Sequence, residues 1–346
     1  MAEAILPLTG RPPRFAGGLR ELAPGTFAWL QPNGAWGEAN AGLVAGVGES
    51  LLIDTLWDQR LADQMLAAMA PVLASAPLRR ALNTHQDGDH WWGNGSLPEE
   101  VEILTAAASR SGMEGESSPA ELARLARLTA AGRALPGSIG ALCRLVHGML
   151  APFDFRGVAL RAPDNAFDQQ ELEIDVGGRA CTLLMLGPAH TAGDTIVHVA
   201  DVGVVFAADL LFVGAIPVMW HGPSSGWVRA LERMLALDAE IFVPGHGDVG
   251  DRAAVESMQR FWSWLREGVA SQATQGADAL SASESLIRSE GFEEWRGWEC
   301  PERLLITVTA LMRELDGKPP LRVTPAVRAR LFRQVAMLSK RIGGDR

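Results

Sequence analysis

The run THQDGDHWWGN, from Thr84 to Asn94, sets His85, Asp87, Asp89 and His90 on one short stretch and follows them with Trp91 and Trp92. Imidazole nitrogens and carboxylate oxygens crowded this closely are donors for a divalent metal. More residues of the same kind stand alone later: His190 in GPAHTAGDT, Asp209 in VVFAADLLF and His246 in VPGHGDVG. Each follows an apolar, strand-like run and has Gly or another small residue beside it. Loops at strand ends are where a rigid scaffold presents functional groups, and glycine lets the backbone turn sharply enough to aim several side chains at one point. Taken singly, a His or Asp at a strand end is more often a turn or capping residue than a ligand. Taken together, these clusters predict a metal centre.

The elements that must position these residues follow from the apolar pattern. TFAWLQP, NAGLVAGVG and SLLIDT, the last ending near Asp54, are expected strands, and LRRALNT is the strand that delivers the His85–His90 loop. DQRLADQMLAAMAPVLA has helical spacing. Residues 117–150 contain SSPAELARLARLTAAGRAL and SIGALCRLVHGML, two helices that read as an insertion and a candidate lid. Strands resume with GVALRAPDNAF, QELEIDVGGRACTLLML and DTIVHVADVGVVFAADLLF, with hairpin turns at DVGGRA and DVGV. GWVRALERMLAL is a helix and EIFVPGHG a strand; from Asp251 onward the chain reads mainly as helices. This order predicts two sheets packed face to face with helices outside.

Composition narrows the function. The chain has 346 residues, 47% hydrophobic and 21% charged, with a formal net charge of −10. An acidic chain argues against nucleic acid or an anionic membrane as its main partner. No apolar run reaches the ~18 residues a spanning helix needs. The opening MAEAILPLTGRPPRF lacks a basic segment followed by a long apolar one, so no secretory signal is expected. Cys143, Cys181 and Cys300 are scattered and form no CxxC pair, which fits a reducing cytoplasm. His198 lies in a strand pattern and reads as structural; His147, on an inserted helix, reads as packing or solvated.

The ligand pattern resembles the metallo-β-lactamase superfamily, whose motifs are an aspartate after an early strand, HxHxDH, a lone His, a bridging Asp and a final His. This chain offers Asp54, HxDxDH at His85–His90, His190, Asp209 and His246 in that order, over roughly residues 25–250. The resemblance implies an α/β fold, a four-layer αβ/βα sandwich over 20–250. To this the chain adds the 117–150 insertion and a helical C-terminal extension, 251–346, packed on the same domain. It also implies two divalent ions: His85, Asp87 and His190 on the first, Asp89, His90 and His246 on the second, and Asp209 between them. Asp54 would orient the ligand loop from behind.

Asp87 departs from the family pattern, which has His there. Two divalent ions carry four positive charges, and the usual site answers with two aspartates and a hydroxide. A third carboxylate makes the ligand set formally neutral. Zinc is the family's usual metal, but a hard carboxylate shifts preference towards manganese or iron and weakens the acidification of bound water. Flavodiiron proteins and a di-iron oxygenase branch carry a carboxylate at this position, as Glu. Asp is one methylene shorter, so its reach to the first metal is the open question.

GDHWWGN, the stretch AADLLF to VPGHG and PERLLITVTALMREL are similar to the branch that contains aromatic polyketide cyclases of the actinorhodin second-ring type, over roughly residues 20–320. The leading expectation is therefore a dinuclear enzyme, a polyketide cyclase/dehydratase or a hydrolase of an ester, thioester or lactone. It would use metal-bound hydroxide and a metal-polarised carbonyl, with Asp89 as catalytic carboxylate and His221 as candidate general acid or base. Trp91, Trp92 and Trp220 are candidate walls for a small apolar or aromatic substrate. A homodimer is left open. The alternatives are a di-iron oxygenase and a non-catalytic binding module on a decayed site. β-Lactam hydrolysis is disfavoured by the absence of an export signal.

Overall fold

The structure is a computed structural model and describes residues 12–115 and 117–343. Most of the opening stretch read for a leader, and the last three residues of the C-terminal extension, lie outside the described residues. Two sheets form the centre. The first has seven strands in sequence order: β1 (Gly18–Ala23), β2 (Thr26–Leu30), β3 (Ala41–Ala45), β4 (Ser50–Ile53), β5 (Leu78–Asn83), β6 (Glu102–Ala106) and β7 (Asn165–Phe167). The second has five: β8 (Glu171–Val176), β9 (Arg179–Met185), β10 (Thr195–Val199), β11 (Val204–Val213) and β12 (Ile241–Gly247), in the order β12-β11-β10-β9-β8.

Strand alternation builds the layers. Val44, Leu51 and Ile53 of the first sheet share a core with Val197, Val199, Val204 and Phe206 of the second. Their neighbours Leu43 and Leu52 point the other way, onto Leu61, Met65 and Met69 of α1 (Gln59–Leu73). Ile196, Val205 and Ala207 likewise turn outward, onto a helical layer. A period of two can serve two cores at once only when a sheet is covered on both faces. The layers therefore run helix, sheet, sheet, helix, as predicted.

The ligand loop carries the single turn α2 (Gly88–Trp91), and α3 (Ala107–Met113) follows β6. The insertion folds as α4 (Pro119–Gly132) and α5 (Gly137–Leu150). Ser118 caps α4 in a reciprocal capping box with Glu121, with Pro119 in the first turn. The outer layer of the second sheet is α6 (Ser224–Leu235), α7 (Arg252–Thr274), α8 (Ala279–Arg288) and α9 (Leu304–Leu315). The last helix, α10 (Pro325–Arg341), packs on α5 as well as on α9. Among the described residues no helix is long and apolar enough to cross a membrane.

GVALRAPDNAF departs from its expected strand. Only Asn165–Phe167 pairs, parallel to β6. Pro163 has no N–H to give a ladder. Arg161 instead points its guanidinium at the carbonyls of Pro98, at 2.8 Å, and Val101, at 2.6 Å, and this stitches the segment to a loop.

Candidate metal centre

β4 and β5 are parallel neighbours, so Asp54 and the His85–His90 loop leave the first sheet on the same side. β5 ends at Asn83, and the chain turns into α2 with Asp87 as its N-cap residue. The Asp87 side chain makes no cap hydrogen bond, so its carboxylate is free to face the site. The β9–β10 loop brings His190, β11 carries Asp209, and β12, parallel to β11, carries His246 opposite Phe212. Ala208 adopts a positive φ of 46°, in a stretch of β11 where the register with β12 shifts. That left-handed residue re-aims the strand so that Asp209 turns into the site. Gly245 makes room for it: a Cβ there would lie 1.8 Å from Asp209 Oδ1.

The structure brings all the predicted ligands together. His85, Asp87 and His190 form one group, and Asp89, His90 and His246 another; within each group the donor atoms lie within 4.8 Å of one another. Asp87 spans its gap despite its short side chain, with Oδ2 3.2 Å from His190 Nε2. Asp209 stands between the groups. Its Oδ1 is 3.2 Å from His90 Nε2, and its Oδ2 is 3.3 Å from His190 Nε2 and 3.5 Å from His246 Nε2.

These residues fit divalent cations. His85 Nε2 is buried with no hydrogen-bond partner, and His90 Nε2 and Asp209 Oδ1, though 3.2 Å apart, do not meet in hydrogen-bond geometry, an expensive arrangement unless another group satisfies them. The far ring nitrogens are engaged. His85 Nδ1 lies 3.0 Å from Thr84 Oγ1, His90 Nδ1 lies 2.7 Å from Asp54 Oδ2, and His190 Nδ1 meets the Val218 carbonyl. Such outer contacts fix the tautomer and turn the Nε2 lone pair inward. His246 is held differently, with its ring stacked on Phe212 at 5.2 Å and 8°.

Burial disfavours charge on His85, Asp87, Asp89, His90, His190 and Asp209, and the neighbours decide the outcome. Burial, then the charge of His90, lowers His85 well below its ordinary range, which suits a neutral ligand. Burial opposes the His190 cation, but Asp209 and Asp87 outweigh it and push His190 up to about 10. Burial likewise opposes ionised Asp87, yet the hydrogen bond and charge of His190 pull it down to about 2. Asp209 stays well below the usual carboxylate range because His246, His90 and His190 surround it. Asp89 is raised, by burial. In this state protons on His190 and His90 occupy the place that metal charge would take.

A cleft of about 140 Å³ opens above the carboxylates. Trp92 and Trp220 line it, as the sequence suggested; Trp91 does not. Trp91 is buried, and its indole N–H donates to the Gln86 carbonyl at 2.9 Å, which ties down the ligand loop. His221 does not line the cleft either; its Nδ1 lies 2.8 Å from the Gly222 carbonyl. His198 sits in β10 with its Nε2 3.4 Å from the Asp238 carbonyl, and His147 Nε2 lies 3.2 Å from Arg133 on the insertion. The insertion contributes Ser117, Leu122 and Met149 to the walls. Sequence reasoning missed Trp36, Trp57, Arg303, Arg328 and Phe332, which also line the cleft. Only Trp57 carried a local signal, three residues after Asp54; the others arrive through tertiary packing.

The family model of the Metallo-beta-lactamase superfamily matches residues 34–246, the span that holds Asp54 and every ligand. A stereoselective inverting sec-alkylsulfatase, Pisa1 from Pseudomonas sp., superposes with a TM-score of 0.66 at 15% identity, covering 86% of this chain and 50% of that one. A metallo-beta-lactamase from Pontibacter korlensis superposes with a TM-score of 0.51 at 16% identity, covering 71% of this chain and 98% of that one. These likenesses show the fold. The 2,4-dinitroanisole O-demethylase subunit alpha of Nocardioides sp. (strain JS1661) is 29% identical over 82 residues, 22% of this chain and 24% of that protein. The chain thus spans about half the length of the alkylsulfatase, and its match to the demethylase subunit covers about a quarter of that protein.

Proposed function

The chain belongs to the metallo-beta-lactamase superfamily, and on that premise we propose that it is a metal-dependent hydrolase with a dinuclear centre, acting on a small, largely apolar ester, thioester or lactone. The observation that carries this reading is the pair of donor groups joined by Asp209 at the floor of an aromatic-walled cleft. Bound divalent ions would supply Lewis-acid charge to an electrophilic carbonyl and acidify water. His85, Asp87 and His190 would hold one ion, Asp89, His90 and His246 the other, and Asp209 both. The donor set contains three carboxylates, Asp87, Asp89 and Asp209, which favours manganese or iron over zinc.

The remaining work falls to the chain's own residues. Asp54 holds His90 in one tautomer, and Thr84 bridges Asp54 to His85, so the ligand geometry is set before substrate arrives. Trp36, Trp57 and Trp92 offer apolar faces that exclude water and orient the substrate body. Asp89, a member of the second donor group, is raised by burial in the metal-free protein, and bound metal charge would hold its carboxylate ionised. Ring closure of a polyketide would draw on the same donors and the same aromatic walls, and the cyclase-like stretches of the sequence support it as a second reading.

The test is turnover by metal-loaded protein on a panel of aryl esters, thioesters, lactones and a nitroaryl methyl ether. Hydrolysis is expected, abolished by chelation and reduced by roughly a hundredfold or more in Asp209→Asn. Dehydration and aromatisation of a poly-β-ketone without hydrolysis of any ester would favour the cyclase reading. Oxygen uptake by iron-loaded protein would favour an oxygenase.

A further inference from the structure

Arg303 ends a short 3-10 turn, Pro301–Arg303, just before α9. It is only 2% exposed. Buried guanidinium groups are almost always paired with a carboxylate. Arg303 is not: no carboxylate of the described residues lies within ion-pair distance, and its Nε is buried without a hydrogen-bond partner. One planar face rests on the Trp36 ring, with Cζ 4.3 Å from the centroid. The indole N–H donates to Glu302 Oε1 at 3.2 Å, so the ring is locked beneath the cation. Stacking occupies the face, and on the N–H edge, a rigid fork matched to an oxyanion, the buried Nε has no acceptor. Both Arg303 and Trp36 line the cleft above the metal-ligand cluster.

The charges divide along the cleft. Asp87, Asp89 and Asp209 belong to the ligand cluster, and Arg303 forms no ion pair with any of them. Arg328 of α10 lines the same cleft, and its Nη1 lies 3.5 Å from Ser117 Oγ on the insertion. Arg303, in the turn before α9, and Arg328, in α10, both belong to the C-terminal extension, outside the family-matched span.

We propose that Arg303 anchors an oxyanion on the substrate, a carboxylate or sulfonate-type group away from the bond that reacts. The substrates are then amphiphilic anions, with an apolar body against Trp36 and Phe332 and the reactive group over the ligand cluster. This inference rests on the hydrolase reading for its reactive group but not for its anchor.

The test is calorimetric titration of the metal-loaded full chain with naphthalene-2-sulfonate and 2-naphthoate, each against its neutral counterpart, 2-(methylsulfonyl)naphthalene or 2-naphthamide. Wild type should bind the anions at least roughly tenfold more tightly than the neutral ligands, as charge-assisted hydrogen bonds require. Arg303→Met should erase that preference and leave neutral binding unchanged; Arg303→Lys should keep part of it. A stronger response to sulfonate or to carboxylate identifies the oxyanion geometry. Equal binding of anion and neutral ligand by wild type overturns the proposal, and needs no variant to fold. So does a preference that survives Arg303→Met but vanishes when the ions are stripped, because the anion then sits on the metal centre. Arg303-dependent anion binding with no ester turnover upholds the anchor and counts against the hydrolase reading alone.

Discussion

Asp54 Oδ2 lies 2.7 Å from His90 Nδ1, and both side chains are buried. The same carboxylate accepts from the Thr84 backbone N–H and hydroxyl, each at 2.8 Å. Asp54 holds a positive φ of 62°, a conformation that Asp tolerates better than most residues. One residue therefore fixes the tautomer of a metal ligand and the start of the ligand loop. Asp54→Asn should weaken metal binding about 10–100-fold, the range typical of contacts behind a ligand, with little change in secondary structure. Competition against a chelating dye measures it; unchanged affinity would remove Asp54 from the positioning role.

Gly245 should tolerate no side chain. A Cβ would meet Asp209 Oδ1 at 1.8 Å and the Ala208 carbonyl carbon at 2.8 Å, both on the strand that sets Asp209 between the two donor groups. Gly245→Ala should cost about 1–3 kcal/mol of stability by overpacking and lower the metal content. Thermal unfolding and elemental analysis of the same sample check both outcomes. A variant with full metal content would show that Asp209 can shift without harm.

The metal-free protein should have a distinctive pH profile. His190 is raised to about 10, so its contribution to stability is complete below its ordinary value of about 6.5 and is lost as pH rises through 10. Asp87 is lowered to about 2, so its contribution is present above its ordinary range near 4 and is lost as pH falls through 2. Chelated protein should therefore be most stable between about pH 4 and 6.5 and lose stability steadily towards pH 10. Metal replaces the His190 proton, so metal affinity should rise over the same alkaline range. Melting curves with and without chelator at pH 6 and 9 decide it: the gap between them should widen at pH 9.

Phe332 of α10 faces Trp36 with ring centroids 5.7 Å apart, and both line the cleft. Phe332→Ala should raise KM for apolar substrates by roughly tenfold through lost apolar contact, with kcat and metal content nearly unchanged. A fall in kcat at constant KM would instead place α10 in the chemistry.

Much of the centre was legible because its donors sit at the ends of apolar runs. His85, Asp89, His90 and His190 follow strands, as the apolar runs indicate, whereas Asp209 and His246 lie within β11 and β12, Asp209 being aimed by the positive φ of Ala208. The cleft was not legible. Trp36 and Trp57 are loop residues without periodicity, and Arg303 lies far along the chain from the ligands. What brings them together is tertiary packing that no local pattern encodes: Arg303 and Phe332 meet Trp36, and Trp57 packs on Phe153 and Phe155. Trp91 and Trp92 illustrate the limit: they are adjacent, alike in sequence and both buried in the first sheet's outer core, yet only Trp92 also reaches the cleft wall. β1, β6 and α3 carry no legible pattern because their runs are short and partly polar.

The position of Asp87 Oδ2, 3.2 Å from His190 Nε2 and in reach of His85, makes metal content the most direct test of the account. Protein purified without added zinc should be analysed for metals by mass spectrometry, as wild type and as Asp87→Ala and Asp87→His. Wild type should hold two ions per chain, with manganese or iron preferred, Asp87→Ala one per chain, and Asp87→His two with zinc preferred. Two zinc ions per chain in wild type, unchanged in Asp87→Ala, would contradict this expectation.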